Sequence, residues 1–261
     1  MSMKKFIFII VICVLVLGIG MSACKSKESA VTTAVNSKTS LDWEGIYTGI
    51  VPCADCPGIF TQITLTKYNT YSLKMEYMGD KESAKTLNGM FKWDETGKMI
   101  TMDGLKESSI PFAYLVSKNK LVQLDLNGKV ISGKLASNYV LTKVDEKLVD
   151  KKWKLKEING VALSTMESKP AKEAFITFQV NGNQVSGSSG CNNFSGTYKI
   201  DDGKSLNFSG VASTRMMCIG NMTVENQMNK IFQDVDNYTL INDTLSLNKA
   251  KTALARFDLS D

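Results

Sequence analysis

The stretch FTQITLTKYNTYSLKMEYM, residues 60–78, has a clear β-strand pattern. Apolar and polar residues alternate in Ile63-Thr64-Leu65 and again in Tyr71-Ser72-Leu73-Lys74-Met75. Successive side chains of a strand point to opposite faces, so the alternation predicts strands with one buried face and one solvated face.

Short strands of this kind recur through the first half of the chain with turn signals between them. The predicted strands cover residues 43–51, 60–66, 71–78, 90–93, 99–102, 112–116, 121–126 and 139–141. No long helical pattern interrupts them, which favours an antiparallel barrel or sandwich. We therefore predict a first, mainly β domain over residues 41–143.

The second half, residues 147–261, has a different order of elements and follows a charged stretch at 143–147. Strands are predicted at 153–158 and 174–180, then a Gly/Ser/Asn-rich stretch, one helix, and closing strands at 238–241, 245–247 and 254–259. One apolar stripe defines the helix, with Asn221 or Thr223 as its cap; its members are Val224, Met228, Ile231, Phe232 and Val235. This order predicts an α+β domain with the helix laid against a curved antiparallel sheet.

The N-terminus carries the pattern of an export signal. Lys4 and Lys5 precede an apolar run over residues 6–21, which is short for a membrane-spanning helix and ends in Ser22-Ala23-Cys24. We predict a signal peptide over residues 1–23; an uncleaved anchor helix is the alternative. The last residues resemble the bacterial lipobox, with Met21 where Leu is usual.

That resemblance implies that Cys24 becomes the acylated N-terminus and attaches the protein to a membrane. Several acyl chains together anchor a soluble domain stably to a membrane, since each buried methylene contributes about 0.8 kcal/mol to membrane binding. Lys25 and Ser26 follow the cysteine, which resembles the sorting signal for the outer membrane. Residues 24–40 lack aromatic and Gly residues and are predicted to be a lipidated, flexible tether.

The composition excludes several classes of function. Among 261 residues there is no His, so Ser-His-Asp and Cys-His catalysis and His-bearing zinc sites are excluded. The formal net charge is +5, and the lysines are scattered along the chain rather than clustered. Nucleic acid is therefore not an expected partner.

Six cysteines are present, and four of them remain in the body once Cys13 leaves with the signal and Cys24 carries lipid. An even number in an oxidising compartment indicates two disulfides. Cys53 and Cys56 form a CxxC that can close a local disulfide, bind Cu(I) when reduced, or exchange thiols catalytically. We favour the disulfide over the metal site, and both over catalysis.

The block Pro52-Cys53-Ala54-Asp55-Cys56-Pro57-Gly58, preceded by residues 43–49, resembles the N-terminal domain of the NlpE family. This resemblance extends over roughly residues 41–141. It implies a small lipocalin-like barrel and a role in copper tolerance, adhesion or envelope-stress signalling.

A second resemblance, to the META (HslJ-like) domain, lies in residues 185–198 and 212–218 together with Glu225 in the helix. No catalytic residues follow from it. Cys191 and Cys218 are predicted to form a stabilising disulfide rather than stay free thiols. Arg215 is predicted to pair with Glu225, with an anion contact as the alternative. The methionines at 216, 217, 222 and 228 are predicted to pack in the core; a thioether site for Cu(I), with Met75 and Met78 as further candidates in the first domain, is the alternative.

The sequence thus predicts a non-enzymatic, lipid-anchored envelope protein in copper homeostasis or stress sensing, with Cys53 and Cys56 as its responsive site. Its partners are the membrane and an envelope protein, and its only candidate cofactor is Cu(I). The alternative is a lipophile-binding or protein-binding barrel whose disulfides are purely structural.

Overall fold

The computed structural model describes residues 36–167, 169–218 and 222–260. The predicted signal peptide and Cys24 lie outside these residues. Within the described part of the chain, no helix is both long enough and apolar enough to span a membrane. The fold is mainly β, with two successive antiparallel sheets and one long helix, which confirms the predicted fold class.

The first sheet is a closed barrel of eight strands in sequence order, here called the N-terminal barrel. Its strands are β1 Gly45–Val51, β2 Ile59–Leu65, β3 Thr70–Tyr77, β4 Lys85–Trp93, β5 Met99–Met102, β6 Ala113–Ser117, β7 Lys120–Gln123 and β8 Val140–Lys143. Short 3-10 turns at Lys81–Ser83 and Ala136–Asn138 lie between strands. All neighbours pair antiparallel, and β1 meets β8 to close the barrel.

The alternation seen in the sequence fills the barrel interior with side chains. Tyr47, Ile63, Leu73, Ile100 and Leu121 come from five different strands, and all are fully buried in one cluster. Since every second residue of each strand points inward, closing the sheet removes all of them from water at once.

The end of the predicted tether is part of the fold rather than flexible chain. Helix α1, Ser37–Ser40, begins after Asn36, whose side chain accepts a hydrogen bond from the N–H of Lys38. The Ser37 hydroxyl donates to the carbonyl of Val116 at 2.7 Å. The prediction of a tether over 24–40 therefore extended too far, because capping and barrel contacts order its last residues.

The second sheet, here called the C-terminal sheet, has the order β10-β9-β11-β12-β13-β14-β15-β16-β17, and β17 also pairs with β9. Its strands are β9 Lys152–Ile158, β10 Val161–Ala162, β11 Ala174–Phe178, β12 Gln184–Ser189, β13 Asn193–Asp201, β14 Ser205–Ser213, β15 Asn237–Ile241, β16 Thr244–Lys249 and β17 Thr252–Leu259. Short 3-10 turns occupy Leu163–Thr165 and Asn181–Asn183. The sheet curves almost into a second barrel.

Helix α2, Thr223–Asp234, packs its predicted apolar stripe into this curved sheet. Its stripe residues are buried, including Met228, and Phe232 contacts the rings of Phe194 and Phe208. The N-cap position is held by Met222, whose side chain makes no capping hydrogen bond. Neither predicted cap occupies that position: Thr223 is already the first helical residue, and Asn221 lies outside the described residues.

Leu73 is 0% exposed at the centre of the N-terminal barrel, so its truncation tests the packing. We predict that Leu73→Ala lowers the free energy of unfolding by about 2–5 kcal/mol, because it leaves a cavity that the closed sheet cannot fill. Tyr68→Ala is the control, since Tyr68 is 72% exposed. Urea titration followed by circular dichroism measures both; an equal effect of the two variants would contradict the packing described.

Candidate functional site

The CxxC lies in the loop that joins β1 to β2 at one end of the N-terminal barrel. Val51 and Ile59 form the last residue pair of this hairpin, so the loop is anchored on both sides by the sheet. Cys53 and Cys56 are half-buried, whereas Ala54 and Asp55 between them are exposed. The two cysteines are therefore held by rigid strands yet remain within reach of molecules in solution.

Cys53 and Cys56 are joined by a disulfide, with their Cα atoms 5.3 Å apart. Oδ1 of Asp55 lies 3.4 Å from Sγ of Cys53, and the carbonyl oxygen of Gly58 lies 3.3 Å from Sγ of Cys56. One ligand atom from each of Cys53, Asp55 and Cys56 falls within 4.8 Å of the others. The loop thus gathers two sulfurs and one carboxylate at a single point.

Gly58 allows the loop to sit this close to the barrel. It has a positive φ of 156°, and a β-carbon there would stand only 2.5 Å from Cγ2 of Ile50. The same point lies 3.5 Å from Sδ of Met78, and the N–H of Met78 donates to the Gly58 carbonyl at 2.9 Å. A side chain at this position would push away the start of β2, and the glycine brings a thioether next to the CxxC loop.

The second disulfide joins Cys191, just before β13, to Cys218 beyond the end of β14, with Cα atoms 6.0 Å apart. Cys191 is 2% exposed, so this bond is buried at one end, in contrast to the half-buried pair in the N-terminal barrel. In the chain-entropy model, closing this longer loop contributes about 3.5 kcal/mol, against about 2 kcal/mol for the CxxC loop.

A buried polar network lies beside this disulfide, centred on Asn192, which is 1% exposed. Its Nδ2 donates to both carboxylate oxygens of Glu225, at 2.9 and 3.0 Å, and to the carbonyl of Met216 at 3.0 Å. Its Oδ1 accepts from the Thr214 hydroxyl and from the N–H of Met216, both at 2.7 Å. One amide therefore ties helix α2 to the chain that follows β14.

Two predictions about this region were wrong. Glu225 is bound by Asn192 rather than by Arg215, because the carboxylate is buried and needs a partner that is buried with it. Met216 and Met217 are exposed, the latter by 95%, and Asn192 holds the N–H and the carbonyl of Met216 outside the core. Met228 does pack in the core, as predicted.

A cavity of about 320 Å³ lies between the N-terminal barrel and the C-terminal sheet. The cavity wall is more polar than apolar and includes hydroxyl groups and two ammonium groups. Its polar residues include Thr48, Ser137, Thr142, Lys143, Thr197 and Lys199. Both lysines are held in ion pairs, Lys143 with Asp42 and Lys199 with Asp201. These walls do not suit a lipophile, and the barrel interior is filled by its own side chains.

An eight-stranded barrel with a CxxC on its first hairpin, joined to a curved sheet packed by one helix, defines a two-domain β protein. Residues 47–134 match the family model of the NlpE N-terminal domain, and residues 146–261 match the model of the META domain. Both resemblances predicted from the sequence are confirmed: the chain carries an NlpE N-terminal domain followed by a META domain.

Lipoprotein NlpE of Escherichia coli (strain K12) is 31% identical to this chain over 96 residues, 36% of this chain and 39% of that protein. The match thus spans about two fifths of the length of this curated relative. Among solved structures, a crystal structure of a putative lipoprotein from Shewanella oneidensis is 41% identical and covers 42% of this chain and 97% of that one, with a TM-score of 0.38. The crystal structure of the Cpx pathway activator NlpE from Escherichia coli is 17% identical, covers 65% and 94%, and has a TM-score of 0.30.

Asn192 is the residue of this region that sequence reasoning missed. The only signal was its place beside Cys191 in the Gly190-Cys191-Asn192-Asn193 block, which suggested a turn and a disulfide but no network. An amide in a Gly/Ser/Asn-rich stretch is typical of a solvated loop, and only the fold brings Glu225 to it from 33 residues away.

We predict that Asn192→Ala lowers the free energy of unfolding by about 3 kcal/mol, because the buried Glu225 carboxylate loses both side-chain amide bonds and keeps the backbone N–H of residue 192, at 3.3 Å. The neighbouring Asn193 is exposed, so Asn193→Ala is the matched control and should change stability little. Thermal and urea unfolding of both variants gives the comparison. Equal stability of the two would show that the network does not hold helix α2.

Proposed function

We propose that this protein is a lipid-anchored lipoprotein of the cell envelope, in which the Cys53–Cys56 pair responds to redox state or copper. The similarity to Lipoprotein NlpE supports the class of protein. The lipobox resemblance supports acylation at Cys24, and Lys25 and Ser26 after it support an outer-membrane location. These residues lie outside the described part of the chain.

The observation that carries the proposed site is the contrast between the two disulfides. Cys191–Cys218 closes a long loop, is buried at one end and lies beside the Asn192 network, as a structural brace does. Cys53–Cys56 closes a loop of four residues, which contributes about 2 kcal/mol, and it is half-buried in an anchored hairpin. A disulfide that adds little stability and stays accessible to solvent suits a reversible redox response.

The reversible step is a two-electron exchange with a dithiol reductant of the envelope. The Cys53–Cys56 bond breaks, the reductant forms its own disulfide, and its two hydrogens go to the two cysteine sulfurs. Loss of a proton from each sulfur then gives thiolates, the form of cysteine that binds metal.

The residues around the loop fit Cu(I). Two thiolates and a thioether are the soft ligands that this ion prefers, and Cys53, Cys56 and Met78 supply them. The chain has no histidine to offer Cu(II) or Zn²⁺. Cu(I) would close the loop in the reduced state as the disulfide closes it in the oxidised state.

Non-enzymatic action fits this site better than thiol-disulfide catalysis. A thioredoxin-type cysteine lies at a helix N-terminus, which lowers its pKa, whereas Cys53 and Cys56 lie in a loop between two strands. The chain supplies no imidazole that would replace that effect. Changes in the loop would instead be transmitted to a partner in the envelope.

Titration of the reduced protein with Cu(I) in the presence of a competing chelator tests the site. We predict that Cys53→Ser/Cys56→Ser lowers affinity by at least about 100-fold and Met78→Leu by about tenfold, as expected for loss of ligands. Met90→Leu is the control, since Met90 is exposed in the same barrel. Equal affinity of the parent and the double cysteine variant would overturn the copper site.

A further inference from the structure

Strand β14 has a free edge over most of its length. On one side it pairs with β13 from Ser205 to Ser213, but on the other it pairs with β15 only at Ser205. Among the described residues, no strand covers that edge from Asn207 onward. Proteins usually protect such edges with Lys, Pro or a covering element. Residues 205–213 contain neither Lys nor Pro, and helix α2 approaches the edge at two points, with Phe232 against Phe208 and Asn229 bonded to the Ser213 hydroxyl.

The hydrogen-bonding pattern of β14 shows which of its backbone N–H groups point away from β13. Leu206 donates its N–H across the free side to Asp236, whereas Thr214 donates to Asn193 on the β13 side. Antiparallel strands alternate the direction of their N–H groups, and one bulge lies between these two points. Phe208, Val211 and Ser213 therefore point their N–H groups away from β13.

A groove of about 660 Å³ runs along this edge, and helix α2 forms its opposite wall. Glu225, Asn229 and Gln233 line it at intervals of four residues, which places them on one face of the helix. The side-chain amide of Gln233 offers both a donor and an acceptor, as a peptide group does, whereas Oδ1 of Asn229 already accepts from the Ser213 hydroxyl at 3.4 Å. The groove thus has peptide-binding chemistry on both walls.

Among the described residues that line the groove, Arg215 carries the exposed charge, since the Glu225 carboxylate is buried. Arg215 lies at its end, exposed, and no carboxylate among the described residues forms an ion pair with it. The one acidic residue of the groove, Glu225, is already bound by Asn192. A guanidinium in this position selects a carboxylate on whatever enters the groove.

We propose that the groove between β14 and α2 binds an extended peptide segment of a partner protein, added as a strand to β14 with a carboxylate at Arg215. The seven residues from Asn207 to Ser213 span about 23 Å, long enough for main-chain pairing to give affinity. This site belongs to the META domain and does not depend on the response proposed for Cys53 and Cys56.

The test uses the full chain in detergent and a phage-displayed library of random peptides somewhat longer than β14. We expect enriched peptides to be rich in β-branched residues and to carry an acidic residue near one end. One enriched peptide is then synthesised, and its affinity for each variant is measured by fluorescence anisotropy. Val211→Pro should bind it about tenfold more weakly, because the proline removes an outward N–H. Arg215→Gln should weaken binding severalfold and abolish the preference for the acidic residue.

Lys251→Gln removes an exposed cation elsewhere on the C-terminal sheet and should leave the affinity unchanged. Gln233→Ala changes only the α2 side of the groove. Together with Arg215→Gln, it tests peptide binding even if Val211→Pro unfolds the domain. Failure of any peptide to enrich, or parent-like affinity in both of these variants, would overturn the proposal. Self-association of the chain that Arg215→Gln or Val211→Pro abolishes would also overturn it, because a second copy would then occupy the edge.

Discussion

Two residue pairs between β1 and β8, Tyr47 with Lys143 and Thr48 with Thr142, close the N-terminal barrel, and the second domain is attached at the same place. The next residue, Val144, donates its N–H to Ile46 at 2.7 Å and is itself buried in the core of the C-terminal sheet. Gly49 permits this close approach because it has no side chain: a β-carbon there would lie 2.9 Å from the backbone carbonyl oxygen of Val140 and 2.7 Å from Cδ2 of Leu141. The hairpin that carries the CxxC therefore depends on the same contact that joins the two domains.

The two disulfides lie in different structural settings. The disulfide beside Asn192 is part of a packed joint in which helix α2, the start of β13 and the chain after β14 meet. Breaking it would loosen several elements together. The Cys53–Cys56 bond lies instead beyond the last residue pair of a hairpin, where a change affects the loop and leaves the strands paired. That position, on a rigid support, suits the responsive site that we propose.

The sequence predicted the N-terminal barrel well because its strands alternate clearly, as at residues 63–65 and 71–75. It predicted far less of the second sheet, where β12, β13 and β14 fall in the stretch rich in Gly, Ser and Asn. Gly187 explains why: a β-carbon there would overlap the carbonyl of Phe175, so the strand needs a residue with low strand propensity. Similarly, the position of the CxxC was evident, but the approach of Met78 and the burial of Glu225 depend on contacts between distant residues, which periodicity does not reveal.

The two disulfides differ in burial, and we propose that they differ in role for that reason. Graded reduction of the native protein, with alkylation and peptide mass spectrometry at each step, tests it most directly. We predict that Cys53 and Cys56 are labelled first, with the circular dichroism spectrum unchanged, and that Cys191 and Cys218 are labelled only where the second domain unfolds. Labelling of both pairs at the same rate, or of Cys191 and Cys218 first, would show that the Cys53–Cys56 bond is not the more accessible one.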